Sequence, residues 1–159
     1  MKKIFSILTL SAVAITAVSC SDDDKPTPAE QNQLLGKWSY MEELALDANG
    51  NVVSTYSDDN GECPYDTFEF KNNGILQNID YDFSDNASEC ENYIIDGIWN
   101  VTGNTFKLAL GEGEDFEDSF EIKKLTADAF EIQRPLTREE AADYELNVVA
   151  LKFVFKKVK

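Results

Sequence analysis

The chain carries 30 aspartates and glutamates, three cysteines and no histidine, so any chemistry it performs must use carboxylates or thiols. Without an imidazole, neither a Ser-His-Asp nor a Cys-His nucleophile can be assembled, and histidine-bearing zinc sites are excluded. A carboxylate pair for glycoside hydrolysis needs two carboxyls at a set separation in a cleft, which spacing along a chain cannot supply. Oxygen-bearing side chains alternate at Asp47, Asn49 and Asn51, and again at Asp58, Asn60 and Glu62, as they do in calcium loops. Neither run has the glycine at position six and the distal glutamate of an EF-hand, and Asn49-Gly50 reads as turn chemistry. No catalytic residue, metal or cofactor is expected, and the protein is not expected to be an enzyme.

The thiols are more informative. Lys2 and Lys3 precede an apolar run from Ile4 to Val18, which has the layout of a signal peptide and is short for a bilayer span. The run ends in Ala17-Val18-Ser19-Cys20, which resembles the lipobox of bacterial lipoproteins. That resemblance implies cleavage before Cys20 and acylation of its thiol, with residues 1–19 removed. Several acyl chains, each worth about 0.8 kcal/mol per buried methylene, would hold the protein on a membrane. Asp22, Asp23 and Asp24 resemble the acidic export signal of surface lipoproteins, and Pro26 and Pro28 extend a tether over residues 20–33. The expected location is extracytoplasmic, on the outer membrane and exposed at the cell surface. With Cys20 committed to lipid, Cys63 and Cys90 are left to pair in an oxidising compartment.

A formal net charge of -16 makes nucleic acid and anionic headgroups poor partners and favours cationic ones. The 43% hydrophobic content suffices for one core of roughly 125 residues, so a folded, monomeric domain with an acidic surface is expected.

Positioning these residues falls to strands, because the apolar period past residue 36 is two. Trp38, Tyr40, Leu44 and Leu46 alternate with Lys37, Ser39 and Glu43, a turn follows at Asp47–Asn51, and Val52–Tyr56 returns. Phe68 and Phe70 lead through Asn72-Asn73-Gly74 to Ile75, Ile79, Tyr81 and Phe83, a hairpin pattern. Tyr93, Ile95, Trp99 and Val101 turn at Gly103-Asn104 into Phe106, Leu108 and Leu110. Phe120 and Ile122 face Phe130 and Ile132, and Val149 to Phe155 is the last strand, after a helical stretch at Thr137–Tyr144. Eight or nine strands with short connections predict an up-and-down antiparallel barrel, which removes exposed edges.

Gly36-Lys37-Trp38 heads the first strand after a short helical turn. Its company is Asp66-Thr67-Phe68-Glu69-Phe70, Gly97-Ile98-Trp99-Asn100-Val101 and Ile122 to Asp128. Together they resemble the lipocalin-like domain of bacterial surface lipoproteins over residues 34–159. The resemblance implies a calycin-type barrel in which Gly36 and Trp38 form the G-x-W motif. In lipocalins a basic side chain from the end of the barrel, usually arginine, covers that tryptophan. Here the last strand offers Lys152, Lys156 and Lys157 instead.

Glu42 and Gln77 are polar at positions that the alternation assigns to the apolar face, and Tyr40, Tyr81 and Tyr93 bring hydroxyls to the same inferred face. These five are the candidate ligand-binding residues, for a small, partly apolar molecule as the resemblance suggests. The alternative is a solid barrel acting as a structural or protein-interaction module of the envelope. A wide interior favours the first, and large side chains meeting across the axis favour the second.

Overall fold

In the computed structural model, which describes residues 33–57, 63–84, 89–111, 116, 118–144 and 147–159, the alternation resolves into nine strands of one sheet. They are β1 (Gly36–Leu46), β2 (Val52–Ser57), β3 (Thr67–Phe70), β4 (Ile75–Ser84), β5 (Glu89–Thr102), β6 (Thr105–Leu110), β7 (Asp118–Leu125), β8 (Ala129–Pro135) and β9 (Ala150–Lys157). Every neighbouring pair is antiparallel, and β1 also pairs β9. That last pairing turns the sheet into a ring. Cys20, the lipobox, the Asp22–Asp24 run and nearly all of the tether lie outside the described residues.

The ring has eight members, not nine. Gly36–Ser39 of β1 pair β3, whereas Glu42–Leu46 pair β2 on the same side. Strand β2 therefore stands above β3 as an added strand, and all six of its residues are exposed. The β4–β5 hairpin also outgrows the wall, because β6 pairs β5 only over Gly97–Thr102. A Cβ on Gly97 would lie 2.2 Å from the Ala109 carbonyl oxygen, so glycine is needed where β5 leaves the wall for this arm.

One end of the barrel is filled. Trp38, Phe106 and Phe130 are fully buried there with Leu34, Leu76 and Val101. Phe70 meets Phe106 and Phe130 edge-on at 5.6 and 6.1 Å between centroids, and Phe106 meets Phe130 at 5.4 Å. These rings come from β3, β6 and β8, which are not neighbours, so they close the lower axis. Trp99 extends the set from β5, its indole N–H donating to the carbonyls of Lys71 and Ile75 at 3.1 and 2.9 Å.

Trp38 is held from three sides. Its indole N–H donates to the Leu34 carbonyl at 2.7 Å, Phe130 packs at 5.8 Å, and the Lys157 ammonium lies 4.3 Å from the ring centroid. Lys157 also donates to the Leu35 carbonyl. The lysine thus takes the place for which the family resemblance calls for arginine. Gly36 has φ +104, which calls for glycine, and a Cβ there would approach the Lys157 Nζ to 3.1 Å and press on the ammonium. Burial pushes the Lys157 ammonium below its ordinary pKa.

Cys63, in the β2–β3 connection, is bonded to Cys90 near the tip of the arm, with Cα atoms 5.6 Å apart. The bridge ties the projecting arm back to the chain beside it. Among the described residues, the core is drawn from strands that close on one another between Leu34 and Phe155.

Two outcomes are expected. Lys157→Met should lower the unfolding free energy in urea by about 1–2 kcal/mol while Lys157→Arg keeps most of it; equal stability of the two variants would contradict the seat described for Trp38. Replacing Cys63 and Cys90 by serine should lower the melting temperature by several degrees, for a loss of about 3–4 kcal/mol in the chain-entropy picture. Two reactive thiols in the unreduced, denatured native protein would refute the bridge.

Candidate functional site

Above the packed rings the barrel interior opens into a cavity of about 290 Å³. Its walls are the same inner phase of the strands, carried upward past the core. Tyr40, Phe68, Phe153 and Phe155 line one side, with Tyr40 5.7 Å from Phe155 and Phe68 5.4 Å from Phe155. Leu108, Leu110, Phe120 and Ile132 line the other, and Phe120 meets Phe153 at 5.6 Å. The polar groups are Asp66, Asn78, Asp80, Asp118 and Arg134. A depression of about 560 Å³ beside the Asp47–Gly50 turn is wider. No ring lines it, so the barrel interior is the better candidate.

Arg134 is committed at the rim. Its guanidinium lies 2.7 Å from Glu140 and 4.0 Å from Asp118. Glu140 belongs to a capping box that starts the Arg138–Ala142 helix: it accepts from the Thr137 amide at 2.7 Å, while the Thr137 hydroxyl accepts from the Glu140 amide at 3.2 Å. These bonds, the Thr137 amide foremost and Arg134 next, hold the Glu140 carboxyl down at about 2. The carboxylate therefore stays charged and bound to Arg134 through the neutral range. Beyond the helix the Tyr144 hydroxyl donates to Glu43 at 3.4 Å, and burial, then Glu43, pushes the phenol pKa up. Tyr144, Leu136, Val148, Leu151 and Ala45 make a small second cluster at this end.

Of the five candidate residues, only Tyr40 lines the cavity. Glu42 faces outward because Met41 is a bulge: Tyr40 pairs Phe155, but Glu42 pairs Val154. One inserted residue flips the alternation, so Glu43 and Ala45 take the inner phase with Phe153 and Leu151, and Leu44 takes the outer. On β4 the inferred phase is inverted. Leu76 and Asn78 are buried and Asp80 lines the cavity, which sends Ile75, Gln77, Ile79 and Tyr81 outward. Gln77 there bonds Lys71 and Asp96, each at 2.8 Å, and the Tyr81 amide donates to Asp66 at 2.7 Å.

Tyr93 keeps the inner phase of Trp99 but lies on the arm, 55% exposed. Its hydroxyl donates to Glu91 at 3.1 Å, and that bond raises its pKa. The residues that line the site and were missed, Asp66, Asn78, Asp80, Asp118 and Arg134, carry a partial signal. Asn78 and Asp80 continue the even phase of Leu76, which a reading led by Ile75 and Ile79 passes over.

The first oxygen-rich run is a turn. Asp47 accepts from the amides of Asn49 and Asn51, both at 2.8 Å, and from the Asn51 side chain at 3.0 Å. Asn51 does most to lower its pKa. The run from Asp58 to Glu62 lies outside the described residues. Among the described residues no cluster of three or more metal-binding side chains occurs, and no helix is long and apolar enough to cross a membrane.

No family model and no curated protein matches the sequence. Among solved structures, the chain is similar to a lipocalin-like protein from Bacteroides uniformis, 14% identical with a TM-score of 0.47, over 79% of this chain and 99% of that one. It is also similar to the allergen Per a 4 from cockroaches, at 13% identity and TM-score 0.43 over 84% and 75% of the two chains. A third is aphrodisin, a sex pheromone from female hamster, at 16% identity and TM-score 0.36 over 79% and 75%. The architecture itself rests on the strand pairings and on the seat of Trp38: an all-β, lipocalin-like barrel of eight closed antiparallel strands with one strand added.

Proposed function

We propose that this protein is a membrane-anchored binding protein whose barrel takes up a small, partly apolar molecule. The observation that carries the reading is the 290 Å³ cavity, walled by rings and aliphatic side chains with polar groups among them. That division is what small-molecule sites show, and the volume lies at the lower end of their range. At about 30 Å³ for each water-sized unit, it suits a ligand of about ten non-hydrogen atoms. The lipobox and acidic run support an anchor on Cys20 and a place on the outer membrane facing outward. The partners in this reading are a membrane, through that lipid, and the ligand.

A second reading, a structural or protein-interaction module of the envelope, is favoured by two features. The lower half of the barrel is solid, and the arm exposes Ile94 at 58% and Tyr93 at 55%.

A neutral, apolar fluorescent probe should bind the folded barrel, and Leu110→Trp should weaken that binding at least tenfold by filling the cavity. Unchanged binding in a folded Leu110→Trp variant would reject the interior as the site. For the anchor, Cys20→Ala should abolish metabolic labelling of the protein with a fatty acid. Undiminished label would overturn the lipid attachment.

A further inference from the structure

Three carboxylates, Asp66, Asp80 and Asp118, line the cavity beside one cation, Arg134. That cation is already bound to a fourth carboxylate, Glu140, at 2.7 Å. The held-down pKa of Glu140 keeps this partner charged. The guanidinium is therefore answered twice over, by Glu140 and by Asp118 at 4.0 Å, and the cavity remains negative in balance.

A cluster of acids alone would be a solvated surface. Here it has a second feature. Asn78 is 7% exposed and lines the cavity, and no described residue makes a hydrogen bond to its carboxamide. Its polar atoms are not among the buried unpartnered ones, where Thr67 Oγ1 stands alone among the described residues, so the carboxamide opens on the cavity and is satisfied by whatever fills it. Its oxygen can accept from a donor that also carries positive charge. Phe68 is the cross-strand neighbour of Asn78 on β3, Tyr40 and Phe153 line the same cavity, and aromatic faces attract cations through their quadrupole.

Resting on the binding role proposed above, we infer that the ligand is an organic cation: a primary amine or alkylammonium of about ten non-hydrogen atoms in all, most of them apolar. The ammonium sits against Asp80 and Asn78 on β4, and the apolar body lies on the rings and on Leu108 and Leu110. A bare metal ion would leave the aromatic wall unused. An anionic amphiphile would meet the like charge of Asp80. The chain's formal net charge of -16 draws cations toward the mouth as well.

The test compares octylammonium, octanol and octanoate, which share one apolar body, by calorimetry on the folded barrel at neutral pH. Octylammonium should bind at least tenfold more tightly than octanol, octanoate should bind more weakly than octanol, and the ammonium preference should fall with added salt. Asp80→Asn should remove most of that preference, bringing octylammonium and octanol to within about threefold of each other. Asp80→Ser gives the same reading should Asp80→Asn fail to fold. Octanol binding with no preference for the ammonium would overturn the cationic ligand and leave the binding role intact. Failure of all three to bind would overturn both.

Discussion

Pairing of β1 with β9 makes this barrel, and packed rings and the seat of Trp38 secure its lower part. Trp38 reaches Leu34 through its indole, Phe130 through its ring and Lys157 through cation–π contact. One side chain thereby joins the chain before the first strand, the eighth strand and the end of the ninth. Gly36 permits this by turning the backbone at φ +104 and leaving room for the Lys157 ammonium. An open sheet of the same strands would leave one edge of β9 and one of β1 unpaired beside an apolar face, a template for aggregation.

From that fixed end upward, the interior changes character along its axis. The lower rings fill the barrel by meeting across it, with Phe70, Phe106 and Phe130 in mutual edge contact. Higher up, the inner phase passes to smaller or polar side chains, Asn78 and Asp80 on β4 and Asp118 on β7, and the space between Phe68, Phe120 and Phe153 is not filled. Rigid packing below and an open volume above are complementary: a cavity keeps its shape only when the strands that wall it are anchored elsewhere. The helix Arg138–Ala142 and the Arg134–Glu140 pair fix the rim on the β8 side.

Much of this fold was legible in the sequence, because period-two alternation and turn residues such as Asn72-Asn73-Gly74 and Gly103-Asn104 mark hairpins directly. The tripeptide Gly36-Lys37-Trp38 was legible for the same reason: glycine and tryptophan there answer to geometry that few other residues satisfy. The site was far less legible. A bulge at Met41 leaves no compositional trace, yet it moves Glu42 out and Glu43 in. On β4 the outer phase holds Ile75, Ile79 and Tyr81, so a rule that sends apolar residues inward picks the wrong face, and Gln77 and Tyr81 follow it outward. Cavity walls that must be partly polar are where hydrophobic alternation stops being a guide.

The central claim is that the upper interior of the barrel, and not the exposed arm, receives a small partly apolar molecule. Methyl-resolved NMR with octanol tests it most directly. Resonances of Leu108, Leu110 and Ile132 should shift on titration while those of Leu76 and Val101 in the packed end stay fixed. Shifts confined to Ile94 and Ile95 on the arm, or to Val52 and Val53 on β2, would contradict the claim and place the interaction on the outside of the barrel.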